Sequence, residues 1–396
     1  MKILMVSDVY FPRVNGVSTS IATFRKELDK LGHEVWLIAP AYGEDSEDEA
    51  RILRVKSSRI LLDPEDRMMK TGGVLDLYGR LKREGFELVH IQTPFIAHYA
   101  GVRLARRLGI PVVESYHTYF EQYLFHYVPF LPKTLMKMLA RIFSRRQCNQ
   151  VDAVVVPSRA MQQVLAGYGV STHMEIIPTG IDPGIMQCGS KQRFCGVHGI
   201  DSTRPVLMYV GRVAHEKNIA FLLRVLDQVR RQVPGVLLVI AGEGPARAGL
   251  ERLAGDLALE ANLRFVNYLP RGPALWDCFC AGDVFVFASS TETQGLVLLE
   301  AMALGIPLVS TSVMGTQDIV GPGRGALVAP ESVSEFAGQV VRLLQDPGLR
   351  ARLSTEARDC AAEWSALRMA ERMAALYTGL VSGKACESPK TGDLAA

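Results

Sequence analysis

Short runs of apolar residues recur along the chain, and each is followed by a polar loop and then by a stretch with helical spacing. The first run, 2–7, leads through the loop DVYFPRVNGV into a predicted helix from about Ser18 to Leu31, which Gly32 ends. A continuous apolar run, rather than an alternating one, is typical of a parallel strand buried on both faces. The pattern therefore predicts parallel sheets with helices on both sides.

This alternation of strand and helix occurs twice, with a break between the two series. Residues 183–203 are mixed in character, contain glycine and have weak periodicity, so they are predicted to be a linker between domains. The apolar runs before the break are 2–7, 34–40, 88–94, 111–117, 151–158 and 174–182, and those after it are 204–213, 236–244, 262–269, 283–289 and 306–312.

Two such series predict an α/β protein with two Rossmann-like domains and a ligand between them at the carboxyl ends of the strands. The first domain is expected to comprise residues 1–185 and the second residues 204–365. A last helical stretch at about 335–382 contains Trp364, and the tail 383–396 is expected to be disordered.

Composition narrows the class of protein. The chain has 396 residues, of which 48% are hydrophobic and 21% charged, so it has room for two or three domains and is not of disordered composition. The formal charge of +3 gives no indication of nucleic-acid binding. Seven scattered cysteines, without the spacing of a zinc site or a disulfide framework, favour a reducing cytosol.

Neither a signal peptide nor a membrane-spanning helix is predicted. The N-terminal apolar run stops at Asp8, and no later window stays uncharged for long enough. The protein is therefore expected to be soluble, or bound only to a membrane surface.

Two loops in the second half follow strands and precede helices, and the first of them is 211-GRVAHEKN-218. Arg212 and Lys217 lie past the end of an apolar strand, where a ligand would bind. A planar guanidinium and a point-charge ammonium suit a diphosphate. Two basic residues alone are also compatible with an ordinary solvated surface.

The second loop, 289-SSTETQGLVLLEAMALGIPLVST-311, carries the chain through Gly295 into a helix. Unpaired N–H groups at that helix start, together with the helix dipole, predict an anion site. Glu292 precedes the helix and Glu300 lies one turn inside it, so the two carboxylates are not expected to share a proton. They are placed to accept hydroxyls on either side of a diphosphate, although Glu300 is also compatible with an ordinary helix surface.

The first half offers weaker signals. The turn 12-PRVNGV-17 precedes a helix but lacks the GxGxxG spacing of a dinucleotide fold. Gly16 would let the backbone approach a ligand closely. His117 ends a strand and would point towards the same crevice, but a histidine in that position is often structural.

Together these residues resemble the retaining nucleotide-sugar glycosyltransferases of the GT-B architecture, in particular the family 4-like members. The resemblance extends from Met1 to about Leu380, and the ordered set of segments is far more specific than any one of them. The matching segments are 15-NGV-17, the strand end at His117, 180-GID-182, 210-VGRVAHEKN-218, 241-AGEGP-245, Glu292 to Glu300 and 301-AMALGIPLV-309.

The resemblance implies a fold of two Rossmann-like domains facing each other across a cleft, with a C-terminal helix, about 366–382, crossing back to an N-terminal acceptor-binding domain. It also implies a role for each matching residue. Arg212 and Lys217 would hold the diphosphate, Glu292 would contact the donor sugar and Glu300 the ribose. The amides of Leu296 and Val297, which follow Gly295, would meet the phosphate. In the first domain, the loop with Gly16 and Val17 would close over the diphosphate, and His117 would lie near the sugar. The family often has other residues where Thr293 and Gln294 stand here, so these two positions bear on the choice of donor sugar.

A clue to the acceptor is 117-HTYFEQYLFHYVPFLP-132, which resembles a segment of bacterial diacylglycerol glucosyltransferases. The following helix, 133-KTLMKMLARIFSRR-146, has an apolar face of Leu135, Met138, Leu139 and Ile142. A basic stripe beside it is formed by Lys133, Lys137, Arg141 and Arg145. This pattern is typical of a helix lying on an anionic membrane, and a helix packed on the core is the alternative.

The resulting expectation is a retaining hexosyltransferase. It would move glucose from UDP-glucose or a similar nucleoside diphosphate sugar to diacylglycerol, on the cytoplasmic face of the cell membrane. Arg212, Lys217 and the helix start would stabilise the leaving group, so no metal or cofactor is expected. Alternatives are a phosphoinositol lipid or soluble sugar as the acceptor, or a non-catalytic nucleotide-sugar-binding protein.

Overall fold

The computed structural model describes residues 1–43, 50–60, 63–119, 133–182, 184 and 189–383. The predictions for the aromatic segment 120–132 and for the tail beyond Gly383 fall outside these residues. The chain divides into two units, one of Met1–Gly180 with the described part of Ala366–Ala396, and one of Ile181–Ser365.

The first unit is built on a parallel sheet of seven strands in the order β3-β2-β1-β6-β7-β8-β9. Its central strands are buried on both faces, as their continuous apolar runs predict. The strands are β1 (Lys2–Val6), β2 (Glu34–Pro40), β3 (Ile52–Val55), β6 (Leu88–Ile91), β7 (Val112–Ser115), β8 (Ala153–Val156) and β9 (Met174–Ile176), and an antiparallel hairpin is formed by β4 (Ser57–Ile60) and β5 (Asp63–Met69).

Helices connect the strands of this sheet. A side-chain cap defines the start of the first one, since Asn15 accepts a hydrogen bond from the Ser18 amide. The helices are α1 (Gly16–Lys30), α2 (Thr71–Leu75), α3 (Tyr78–Glu84), α4 (Ile96–Leu108), α5 (Lys133–Cys148) and α6 (Arg159–Gly167).

The last helix of the chain, α15 (Ala366–Val381), returns to this first unit. Its Met373 and Tyr377 are fully buried in one cluster with Ile3 and Ile21. The Tyr377 hydroxyl also lies 2.5 Å from Nδ1 of the buried His90. The crossing of the C-terminal helix to the first unit is thereby confirmed.

The second unit is built on a parallel sheet of six strands in the order β12-β11-β10-β13-β14-β15. The strands are β10 (Val206–Val210), β11 (Leu237–Ala241), β12 (Leu263–Val266), β13 (Val284–Phe287), β14 (Leu308–Ser310) and β15 (Ala326–Val328). The helices are α7 (Lys191–His198), α8 (Ile219–Val229), α9 (Arg247–Asp256), α10 (Pro273–Ala281), α11 (Leu296–Ala303), α12 (Gln317–Val320), α13 (Val333–Gln345) and α14 (Pro347–Glu363).

The segment predicted to be a linker, 183–203, differs in the structure, because its residues from 189 onwards belong to the second unit. They contain α7, whose Phe194 and Cys195 are buried. Arg193 also forms an ion pair with Asp277 at 2.6 Å. Two buried apolar side chains in a short polar helix give a weak periodic signal, which explains why the sequence suggested a linker.

The helical stretch predicted at 335–382 is three helices rather than one. Pro347 begins α14, and Asp346 accepts a hydrogen bond from the Leu349 amide at 2.8 Å, so the chain restarts there. The second break follows Trp364, whose carbonyl oxygen accepts the Ile181 amide at 2.9 Å.

Candidate functional site

The two loops singled out by the sequence follow β10 and β13, which are neighbours in the second sheet. Because both strands are parallel, the loops emerge at the same edge. Lys217, in the first loop, forms an ion pair with Glu292 in the second. The Ser289 hydroxyl also donates to the carbonyl oxygen of Glu216 at 3.3 Å. The structure therefore brings the predicted residues of the two loops together.

The loop that carries Arg212 is held by the turn after β11. The Val213 amide donates to the Glu243 carbonyl at 2.8 Å, and the Ala246 amide donates to the Val213 carbonyl at 3.0 Å. A Cβ atom at Gly244, where φ is +155°, would lie 2.3 Å from the Val213 carbonyl oxygen. Only glycine allows this close approach, which explains the physical role of the AGEGP segment.

Arg212 is exposed at this edge of the sheet. Its carbonyl oxygen accepts the hydroxyl of the buried Tyr209 at 3.1 Å, which fixes the backbone beneath it. Among the residues that the structure describes, Arg212 has no carboxylate partner. Its guanidinium is therefore available to an anion.

Helix α11 begins in the same loop as Glu292. Gly295 has a left-handed φ of +95°, and no side chain caps the helix. The first two amides of the helix are those of Leu296 and Val297. The third, that of Leu298, donates to the Gly295 carbonyl oxygen at 2.9 Å. An uncapped start leaves N–H donors and roughly half a positive charge for an anion. The geometry fits the predicted anion site.

The loop containing Glu292 is supported from behind by the segment after β14. The Gly315 amide donates to the Glu292 carbonyl at 2.8 Å. The carboxylate itself is only 18% exposed and the Lys217 side chain 20%. Both groups are therefore partly withdrawn from water, which strengthens the attraction between them.

Glu300 has a partner that sequence reasoning missed. It is 6% exposed and forms an ion pair with Arg271, in the loop between β12 and α10. The Arg271 side chain is 42% exposed, so its guanidinium also reaches solvent. Since a buried carboxylate requires a partner, Glu300 is not an ordinary helix-surface residue. The family resemblance pointed to Glu300, but nothing in the sequence pointed to Arg271.

In the first unit, Gly16 and Val17 form the first turn of α1. A Cβ atom added at Gly16 would have no neighbour within 4 Å, so the helix start is open on that side within this unit. The predicted role of the two residues against a ligand is compatible with this placement and remains a prediction.

His117 lies two residues beyond β7, and its Nε2 is 3.2 Å from Oε1 of Gln92, which follows β6. Desolvation lowers the pKa of His117 to about 4. The imidazole is therefore neutral near pH 7 and offers a hydrogen bond rather than a positive charge.

At the same edge of the first sheet, Asp8 follows β1 and was not predicted as a special residue. It is buried and accepts hydrogen bonds from the Ala97 amide at 3.1 Å and from the Thr93 hydroxyl at 2.8 Å. Burial raises the pKa of Asp8 to about 6. The carboxyl group holds the start of α4 against the end of β1.

Helix α5 carries the predicted membrane residues. Lys137, Arg141 and Arg145 are exposed, while the side chain of Lys133 lies outside the described set. The Arg141 guanidinium lies over the Tyr168 ring at 5.6 Å, so part of the stripe rests on its own unit. The exposed face also includes three apolar side chains, those of Leu135, Met138 and Leu139.

Two general features of the described residues bear on function. None of their helices combines the length and apolar character needed to cross a membrane. Nor do their histidine, cysteine, aspartate and glutamate side chains include a cluster of three suited to a metal ion.

Comparison with protein families matches both halves of the chain. Residues 14–184 match the model described as Glycosyltransferase Family 4, and residues 190–359 match the model described as Glycosyl transferases group 1.

Among curated relatives, the chain is 32% identical over 321 residues to alpha-monoglucosyldiacylglycerol synthase of Streptococcus pneumoniae, covering 78% of this chain and 71% of the relative. It is 24% identical to the protein of the same name in Acholeplasma laidlawii, over 96% of this chain and 98% of the relative. A GDP-mannose-dependent alpha-mannosyltransferase of Mycobacterium tuberculosis is 29% identical over 85% of each chain.

Solved structures share the fold at lower identity. Sucrose-phosphate synthase from Thermosynechococcus elongatus superposes with a TM-score of 0.77 at 20% identity, covering 96% of this chain and 99% of that one. Anabaena HepE, solved with UDP-glucose, gives a TM-score of 0.75 at 16% identity over 96% of this chain and all of its own. Two parallel-sheet Rossmann-like domains of the GT-B type are the common architecture.

Proposed function

The chain belongs to the family 4 and group 1 glycosyltransferases, and from this premise we propose that it transfers glucose from a nucleoside diphosphate sugar to diacylglycerol with retention of anomeric configuration. The observation that carries the proposal is the site on the second unit, where Arg212, the Lys217–Glu292 pair and the uncapped start of α11 share one edge of the sheet.

The donor would bind through its diphosphate. Arg212 has no carboxylate partner among the described residues and supplies a planar fork, and the amides of Leu296 and Val297 supply two donors at a helix N-terminus. Lys217 adds a second cation, which the ion pair with Glu292 keeps in place. These groups are cationic or N–H donors, which is the set that a departing diphosphate requires.

Glu292 and Glu300 would accept hydroxyls of the donor, the first from the sugar and the second from the ribose. Each carboxylate is held by a cation on another loop, Lys217 and Arg271 respectively. A carboxylate fixed in this way is suited to orienting a hydroxyl and poorly placed to attack carbon. Neither glutamate is therefore assigned the role of nucleophile.

Without a nucleophile on these loops, retention would follow a front-face route. The bond between C1 of the sugar and the diphosphate oxygen breaks, and the electron pair leaves with the diphosphate. The acceptor hydroxyl attacks C1 from the same face and passes its proton to the departing phosphate oxygen. Arg212, Lys217 and the α11 start would stabilise the charge that develops there.

In the first unit, His117 would lie near the sugar, as the family resemblance implies. Its lowered pKa, about 4, keeps the imidazole neutral near pH 7. Its proposed part is to donate or accept a hydrogen bond at a sugar hydroxyl, with the ring oriented by Gln92.

The lipid acceptor is supported by two observations. Two of the curated relatives described above are monoglucosyldiacylglycerol synthases, and one of them is 32% identical to this chain. In addition, α5 exposes Leu135, Met138 and Leu139 beside Lys137, which is the composition of a helix at an anionic membrane surface. Under this proposal the protein is peripheral on the cytoplasmic face of the membrane.

The mannosyltransferase relative favours a second candidate, in which the donor sugar is mannose and the acceptor is a phosphoinositol lipid or a soluble sugar. The site on the second unit would serve this reaction equally, because its diphosphate contacts do not depend on the sugar. The alternative of a non-catalytic binding protein is disfavoured by the presence of Arg212, Lys217, Glu292 and Glu300 together.

The experiment that tests the acceptor offers the purified protein one labelled nucleotide sugar with vesicles containing diacylglycerol, vesicles containing phosphatidylinositol, or soluble sugars. We expect the label in a lipid product only with diacylglycerol. A product only with phosphatidylinositol or a soluble sugar would replace the proposed acceptor, and donor binding without any product would support the non-catalytic reading.

A further inference from the structure

Helix α4 of the first unit carries a groove that the proposed reaction does not use. The groove has a volume of about 450 Å³ and is lined by Tyr99, Val102, Arg103, Arg106, Arg107 and Gln150. All of these residues lie on α4 except Gln150, which follows the C-terminal end of α5. Three guanidinium groups therefore surround one concave surface.

The arginines of this groove are not neutralised within the protein. No carboxylate pairs with Arg103, Arg106 or Arg107 among the residues that the structure describes. Asp152, the acidic residue nearest to Gln150 in sequence, accepts the Val112 amide at 2.7 Å. A helix dipole favours cations in the last turn, which accounts for Arg106 and Arg107 but not for Arg103 or for the groove.

The groove is held by contacts on both sides. The Arg107 guanidinium lies over the Tyr78 ring of α3 at 5.8 Å. On the other side, Nε2 of Gln147 donates to the carbonyl oxygen of Pro94 at 2.5 Å, which fixes the end of α5 beside the start of α4. Gln150 thus lies close to α4 as part of the packed fold.

The same face of α4 is aromatic towards its N-terminus. Tyr99, Arg103 and Arg106 are spaced i, i+4 and i+7, so they share one side of the helix, and Phe95 directly precedes its first residue. Phe95 is 52% exposed and Tyr99 51% exposed. Exposed aromatic side chains beside arginines are typical of proteins that rest at a membrane interface.

We propose that this groove binds the phosphate of an anionic glycerophospholipid headgroup and makes α4 a second membrane contact of the first unit, in addition to α5. Guanidinium groups bind phosphate as planar forks. The exposed Phe95 and Tyr99 would enter the interface next to the bound headgroup. The aromatic end of this face favours a lipid over inorganic phosphate, because exposed aromatic rings stabilise a protein at a membrane interface and add little to the binding of inorganic phosphate.

This inference rests on the proposed function only in that both bring the protein to a membrane. Its test is flotation of the full chain with vesicles of phosphatidylcholine, with and without phosphatidylglycerol. Removing the three groove charges together, by Arg103→Gln, Arg106→Gln and Arg107→Gln, is expected to weaken binding to the anionic vesicles about a hundredfold, since each basic residue near such a surface contributes roughly a factor of five.

A matched control removes three exposed arginines of the second unit that also have no carboxylate partner among the described residues, by Arg224→Gln, Arg252→Gln and Arg264→Gln, and so makes the same change in net charge. We expect the control to bind the anionic vesicles as the unmodified protein does. Equal losses in both triple variants would overturn the groove as a site, because they would show that only net charge matters. Unchanged binding of the groove variant would overturn it as well.

Two further measurements separate other outcomes. Arg103→Gln alone leaves the last turn of α4 intact and is expected to weaken vesicle binding about fivefold, so a folding defect of the triple variant does not hide the effect. Inorganic phosphate could raise the melting temperature of the wild type but not of the groove variant, while both bind vesicles equally. That result would show that the groove binds phosphate but not a lipid headgroup, and it would refute the proposed lipid ligand. Calorimetric titration with a nucleoside diphosphate reports on the second unit, so failure of the proposed donor site is recognised separately.

Discussion

The assignment of Glu300 to the ribose of the donor predicts the result of a chemical double-mutant cycle. The perturbations are Glu300→Gln in the protein and removal of the ribose hydroxyls in the ligand, as a dideoxynucleoside diphosphate. If the carboxylate accepts those hydroxyls, each change alone should weaken binding, and the second should cost little once the first is made.

The magnitude follows from the surroundings of Glu300. The residue is 6% exposed, so a hydrogen bond to its carboxylate forms largely out of water. Hydrogen bonds to charged groups contribute about 1.5–3 kcal/mol. The ion pair with Arg271 does not involve the ribose hydroxyls, so the effect of losing it in Glu300→Gln cancels in the coupling energy of the cycle.

We therefore expect Glu300→Gln to weaken nucleoside diphosphate binding by about 2 kcal/mol, or roughly 30-fold. Calorimetric titration measures the dissociation constants of both proteins for both ligands. The expected coupling energy between the two changes is also about 2 kcal/mol. Additive effects, with a coupling below roughly 0.5 kcal/mol, would refute the placement of Glu300 at the ribose.

Three further predictions concern other parts of the two units. Lys217→Gln should lower the rate of glycosyl transfer by about a hundredfold or more, as loss of a leaving-group cation does, and an unchanged single-turnover rate would contradict its role. In thermal unfolding, Gly244→Ala should destabilise the second unit by more than about 2 kcal/mol, because the added Cβ would lie 2.3 Å from the Val213 carbonyl oxygen. The control Gly249→Ala, on α9, should be neutral or stabilising, because the added Cβ has no neighbour within 4 Å. Burial raises the pKa of Asp8 in the folded protein to about 6 from 3.8, so its contribution to the free energy of unfolding is full below pH 3.8 and is lost as the pH rises through 6. The loss amounts to about 3 kcal/mol. If the difference in unfolding free energy between the wild type and Asp8→Asn does not change over this pH interval, the prediction is wrong.

The outline of the fold was predictable because the central strands of both sheets are buried on two faces. A strand of this kind has to be a continuous apolar run, and β10 and β11 are buried at every position. Helix α11 was predicted to begin at Leu296, as it does, since Gly295 adopts a left-handed conformation directly before it. These features are local, so the order of residues along the chain is sufficient to reveal them.

The features that the sequence did not reveal depend on contacts between distant residues. Arg271 precedes Glu300 by a helix and a strand, and neither residue has a local pattern that indicates the ion pair. Helix α7 was also missed because a distant residue contributes to its start. The Ser190 amide, directly before the helix, donates to the carboxylate of Asp277, which is far away in sequence. Asp8 joins the start of α4 across 89 positions of sequence.

The most direct test of the central claim follows labelled sugar from several nucleoside diphosphate donors into diacylglycerol vesicles, with the wild type and Glu292→Gln measured side by side. We expect a single glucosylated lipid with the anomeric configuration of the donor, formed from UDP-glucose by the wild type. The variant should retain nucleoside diphosphate binding but lose transfer by about a hundredfold or more. Transfer by Glu292→Gln at a rate close to that of the wild type would contradict the role of Glu292 at the donor sugar, and a product of inverted configuration would contradict a retaining mechanism.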